Sequence, residues 1–156
     1  EEGSPKDIFE HPKREKTRRF IQRLSTLSYR IDSTDFDMEP IIEELQKYGE
    51  KLLIEAERLT KLTLSMEEIC INNIAAESDN PDILVKVEYS EKLDVLTMII
   101  KYNGEVFDIK EAKSSKVFLS LLEEPTTTYE QKDLVEDKEG FRHQIMMNFR
   151  WQEEQK

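Results

Sequence analysis

Glu68 and Asn72 are the residues of this chain whose types and spacing best suit chemistry. They lie within Leu64–Ala76, a stretch that reads as an amphipathic helix. Four residues are just over one helical turn, so a carboxylate and a carboxamide stand one above the other. Such a pair can hold a polar ligand or a cation. Two solvated residues on an outer helix face would look the same. Met66, Ile69, Cys70 and Asn73 share another side at helical spacing and make the expected buried face. Cys70, the only cysteine, falls on that apolar side. It reads as a small buried hydrophobe, since a nucleophile would want a neighbouring base. His11 and His143 are far apart, and neither has metal-type spacing around it, so both read as surface residues. Met146-Met147 reads as core rather than a soft-metal site. Trp151 reads as the edge of the core or part of an interface.

Several elements must position this helix. Ser4-Pro5-Lys6-Asp7 suggests a helix cap. Lys13 to Leu27 is helical in pattern, with Phe20, Ile21, Leu24 and Leu27 on one side. Its Lys13, Arg14, Lys16, Arg18, Arg19 and Arg23 form the one basic patch of an acidic chain, either a solvated face or a docking surface for an acidic or phosphorylated partner. Ser28 to Asp32 alternates as a short strand, and Ser33 to Asp37 supplies turn and cap residues. A long helix then starts at Asp37 with Glu39-Pro40. Its apolar positions are Ile41, Ile42, Leu45, Tyr48, Leu52, Leu53, Ala56 and Leu59. Gly49 inside it marks a bend or a close contact. The central helix spans Lys61 or Thr63 to about Glu77, and Ser78-Asp79-Asn80-Pro81 ends it.

Asp82–Tyr89 and Leu93–Tyr102 read as a strand hairpin. The second strand is the more apolar, which suits a central position. Asn103-Gly104 breaks it. Val117 to Leu122 reads as a short helix. Leu134-Val135 with Phe141–Trp151 reads as a final hairpin with Gly140 in its turn, and Gln152 to Lys156 is a polar tail.

The 156 residues suffice for one domain with a real core. A formal net charge of -11 argues against a general nucleic-acid or anionic-membrane binder. With one cysteine there is no internal disulfide, which fits a reducing, cytoplasmic setting. No apolar run approaches the roughly 20 residues that a membrane span needs, and no signal peptide is legible. Glu1-Glu2-Gly3-Ser4, without an initiating methionine, reads as the interior of a longer protein.

Gly3, Pro5, Ile8, Phe9, Pro12, Thr17, Phe20 and Ile21 carry a first resemblance. Residues 1–27 resemble the C-terminal tail of the ATP-binding subunit of polar-amino-acid ABC importers. There a Gly-(Ser/Thr)-Pro-x-x-Ile-Phe segment is followed by a helix with a Pro, Thr and Phe at these irregular spacings. The resemblance implies Mg-ATP for the parent subunit. It also implies, as partners, an ABC ATPase domain in the same chain and the transporter's membrane subunits. The chain itself contains no Gly-x-x-x-x-Gly-Lys-(Ser/Thr) loop.

A second resemblance covers Ser28 to Trp151. The order of long helix, helix with Glu-x-x-x-Asn, strand hairpin, Asn-Gly and Phe107-Asp108 is similar to the histidine-kinase-type ATPase fold, in its small anti-sigma-factor branch. That resemblance implies that Glu68 is a general base or water-orienting group and that Asn72 holds magnesium. It places Tyr102, Asn103 and Gly104 at the box that binds adenine. Two departures stand out. The family's adenine-binding aspartate is Tyr102 here, and the glycine-rich lid is replaced by Lys113-Ser114-Ser115-Lys116-Val117-Phe118. Phosphates are cradled by backbone N–H groups that approach closely only where side chains are absent.

The expectation is therefore an α+β two-layer sandwich with helices packed on one face of a mostly antiparallel sheet. Residues 1–27 would be the ABC tail, 28–151 a degenerate histidine-kinase-type domain and 152–156 a polar tail. The expected role is regulatory, through ligand sensing or homodimer formation beside the transporter's ATPase domains. No catalysis, cofactor, nucleic acid or membrane insertion is expected of this fragment. The alternatives are a working nucleotide module or anti-sigma-type kinase using Glu68 and Asn72, and a ligand-free interaction domain.

Overall fold

The structure, a computed structural model, describes residues 26–111 and 115–151. The expectations for the N-terminal cap, the basic helix as far as residue 25 and the polar tail lie outside the described residues, as do Lys113 and Ser114 of the lid segment; Thr26 and Leu27, expected to end that helix, instead open a strand, where Leu27 pairs with Val87.

Five strands form one sheet in the order β1-β2-β3-β5-β4. They are β1 (Thr26–Ile31), β2 (Ile83–Ser90), β3 (Val95–Tyr102), β4 (Thr127–Asp133) and β5 (His143–Arg150). Every neighbouring pair is antiparallel. β3 holds the centre, as its apolar content suggests. Alternation gives the sheet one apolar face. Ile31, Val85, Val87, Leu96, Met98, Ile100, Ile145, Met147 and Phe149 from that face are buried. The helices cover it, so the fold is α+β with helices packed on a sheet.

Helix α1 (Glu39–Leu52) opens with proline in its first turn, and the Glu39 amide donates to Asp37 Oδ1 at 3.1 Å. It buries Ile41, Leu45 and Tyr48. The expected long helix does not continue to Leu59. Leu53 adopts a left-handed backbone, φ 60°, and the Ile54 amide closes back on the Gly49 carbonyl at 2.9 Å. The chain reverses there into α2 (Ala56–Met66). Apolar spacing misses this break because buried Ile54 and Leu59 resume the pattern after the turn. Leu53 and Ala56, expected on the buried face, are exposed. Gly49 is a close-contact glycine: a Cβ there would run into Leu59 Cδ1.

The central helix thus begins at Ala56, earlier than expected. Beyond Met66 its winding widens to an i→i+5 pattern over Glu67–Ile74, then tightens over Ala75–Glu77. Met66, Ile69, Cys70 and Asn73 are buried together, as their spacing predicts.

The short helix near Val117 is α3 (Lys116–Leu122), capped by the Ser115 hydroxyl accepting from the Phe118 amide. In the last hairpin the first strand is β4, not Leu134-Val135. Those two residues lie in the loop to β5, where Val135 is 84% exposed. β4 turns Thr127, Tyr129 and Gln131 towards the helices. Only one of the three is a large apolar residue, so this edge strand leaves little hydrophobic signal.

Candidate functional site

The wide-wound segment Glu67–Ile74 positions the two residues that the sequence singles out. Glu68 is 8% exposed, whereas Asn72 is exposed. They do not share one surface, and no hydrogen bond joins them. The i→i+5 winding instead brings Asn73 to Glu68: its Nδ2 donates to the Glu68 main-chain carbonyl at 2.8 Å. An i, i+4 rule sets Asn72 above Glu68 because it assumes ordinary α winding; Asn73, already expected on the buried face, makes the bond instead. No hydrogen bond or ion pair among the described residues engages the Glu68 carboxylate. Beside it Cys70 is fully buried, and burial pushes its thiol well above the ordinary range. Such a thiol is not a nucleophile.

The second group of candidate residues closes the end of β3. Tyr102 is 1% exposed. Its hydroxyl accepts from the Phe107 amide at 3.0 Å and faces the Phe107 carbonyl at 3.4 Å. Burial pushes this phenol up, against the opposing pull of the Phe107 amide. Gln131 completes the knot, with Nε2 donating to the Phe107 carbonyl at 2.6 Å and Oε1 accepting from the Ile109 amide at 2.8 Å. Asn103 Oδ1 accepts from the Arg142 amide at 2.8 Å. Gly104 has φ +93°, a conformation natural to glycine. Its carbonyl lies 2.9 Å from His143 Nε2, while His143 Nδ1 lies 3.2 Å from Asp133 Oδ1. The His143 ring packs on Tyr102, centroids 5.1 Å apart. Asp108 is exposed and caps the following turn through the Lys110 amide.

No hydrogen bond connects Glu68 or Asn72 with Tyr102, Asn103 or Gly104. The two groups meet only through the core, where Ile69, Cys70, Tyr102 and Ile109 belong to one cluster. The residues present fit a magnesium-nucleotide poorly. The position of the expected carboxylate is a tyrosine whose hydroxyl already serves the backbone. In the segment of the expected lid, Phe118 is fully buried. Among the described residues no group of three His, Cys, Asp or Glu side chains is arranged to hold a metal ion.

Two further features escaped the sequence pattern. Arg58 is 2% exposed in the middle of an apolar helix face. Its guanidinium bonds to Glu55 Oε1 at 2.6 Å, Asp94 Oδ1 at 2.8 Å and the carbonyls of Asp94 and Phe149. Burial works against this charge, yet the two carboxylates more than offset it. The only hint in the sequence is Glu55, three residues earlier on the same helix side. The second feature is a groove of about 460 Å³ between α1 and α2, floored by Leu45, Ile54 and Leu59 and edged by Gln46, Glu50 and Thr60. It contains none of the residues nominated above.

No protein-family model matches this chain, and no match to it is found among curated proteins. Among the described residues no helix is long and apolar enough to cross a membrane.

Proposed function

We propose that this chain is a C-terminal regulatory domain of the ATP-binding subunit of an amino-acid ABC importer, with no ATP hydrolysis of its own. It works in the cytoplasm at the inner face of the membrane. Its partners are the ATPase domain of the same chain and the transporter's membrane subunits. The observation that carries the non-catalytic half of the reading is the hydroxyl of Tyr102, bound to the backbone of Phe107 in the place where the resembled fold has its adenine carboxylate. A buried phenol committed to its own backbone is a structural plug rather than a recognition group. The transporter half is supported by the irregularly spaced matches from Gly3 to Ile21.

The test is removal of every residue after Leu27 from the full-length protein. The reading expects a change in transport, ATPase rate or oligomeric state. If all three stay unchanged, the regulatory role is wrong.

A further inference from the structure

Among the described residues no strand pairs with the outer side of β4. Open edges are commonly blunted by proline, by a bulge or by shortness. β4 uses none of these: Thr127–Asp133 pairs with β5 residue for residue over its whole length. It carries charges instead. Glu130 and Lys132 are exposed on the face away from the helices, and neither is in an ion pair among the described residues. The helix that packs on β4 is α3, which exposes Val117 and Leu119, so apolar surface accompanies the free edge.

The phase of the free backbone groups follows from the paired side. The Arg150 amide donates to the Thr126 carbonyl at 2.9 Å, one residue beyond the pair of Thr127 with Phe149. Thr126 and, by alternation, Thr128, Glu130 and Lys132 therefore bond to β5. Tyr129, Gln131 and Asp133 turn their N–H and C=O groups to the open edge. Two copies related by a two-fold axis would pair antiparallel, with open-edge residues facing open-edge residues. In the register centred on Gln131, Gln131 faces its own counterpart, Tyr129 faces Asp133, and Glu130 faces Lys132 of the second copy. Glu130 and Lys132 then occupy non-hydrogen-bonded pairs, where opposed side chains come closest. Each Glu130 has one lysine beside it on its own strand and another across the junction. Their neighbours on β5, Met146 and Gln144, are uncharged. Moving the axis by one residue either way sets Glu130 against Glu130 or Lys132 against Lys132, and like charges directly opposite repel. The two charges thus favour one register and oppose the nearest slips.

We propose that a second copy of this chain adds to β4 in the register centred on Gln131, joining the two five-stranded sheets into one. This stands apart from the transporter reading, since it needs only this chain.

Sedimentation equilibrium of the full 156-residue chain tests it. The wild type should dimerise reversibly. Glu130→Lys or Lys132→Glu alone sets like charges face to face and should weaken the dimer about tenfold. Glu130→Lys/Lys132→Glu restores opposite charges across the junction and should restore the dimer. Both positions are exposed, so the far-ultraviolet dichroism should stay unchanged in all three variants. Hydrogen exchange locates the contact: the Tyr129, Gln131 and Asp133 amides should gain protection as the protein concentration rises. Monomers alone up to millimolar concentration, or a dimer indifferent to the single reversals, would overturn the proposal. So would protection of these three amides that does not vary with concentration, since another part of the chain would then cover the edge.

Discussion

At the residue scale, three side chains do work that their types alone do not announce. Tyr102 fills space and pairs the Phe107 backbone. Tyr102→Phe keeps the ring but leaves that amide unpaired, and should cost about 1 kcal/mol in urea unfolding. Arg58 unites α2, the β2–β3 turn and β5. Arg58→Leu should cost about 2 kcal/mol, at the lower end for a broken buried pair because its carboxylate partners are partly exposed. Lys101 bridges Asp137 at 2.8 Å and Glu139 at 2.8 Å on the other face of the sheet. Its ammonium holds both carboxyls below their ordinary values. A carboxyl depressed in the folded state stabilises above its ordinary pKa, and that stability is lost as pH falls through the depressed value. The melting temperature of Lys101→Met should therefore lie below wild type at neutral pH. The gap should close in acid, below about pH 4 where these groups ordinarily titrate. A gap that persists unchanged to the acid limit would show that the pair contributes by packing instead.

At the scale of elements, the close approach of α1 and α2 depends on Gly49. Gly49→Ala gains about 1 kcal/mol of helix propensity but forces Leu59 from its buried place. Overpacking of this kind costs about 1–3 kcal/mol, so the net effect on urea unfolding should be destabilising. Loss of the Ser115 cap in Ser115→Ala should cost about 1 kcal/mol and fray α3, read as faster amide exchange at Phe118.

The parts legible in the sequence were those with strong periodicity. The β2–β3 hairpin, the apolar face of Met66, Ile69, Cys70 and Asn73, and the short helix at Val117 all follow from it. The parts that were not legible have physical reasons. The break at Leu53 keeps the three-four rhythm on both sides and uses a leucine where glycine is the usual signal. The wide winding of Glu67–Ile74 changes which residue lies above which without changing composition. β4 is an edge strand whose inward positions are mostly polar. The candidate site was legible only as a list of residues. That Tyr102 is knotted to Phe107, and that Glu68 and Asn72 part company in exposure, depends on tertiary contacts that no spacing rule contains.

At the scale of the whole molecule, helices cover one face of the sheet, and exposed apolar residues lie beyond both of its ends, Leu93 in the β2–β3 turn and Val135 in the β4–β5 loop. Under the proposed reading this is an appended regulatory domain in which the contact of Tyr102 with the Phe107 backbone stands where the resembled fold takes up adenine. The most direct test of that view is calorimetric titration of ATP and ADP, with magnesium, into the full chain, with Asn72→Ala as control. The account predicts no heat of binding up to millimolar nucleotide in either protein. Micromolar binding that is lost in Asn72→Ala would contradict it, and would make Asn72 part of a working nucleotide site.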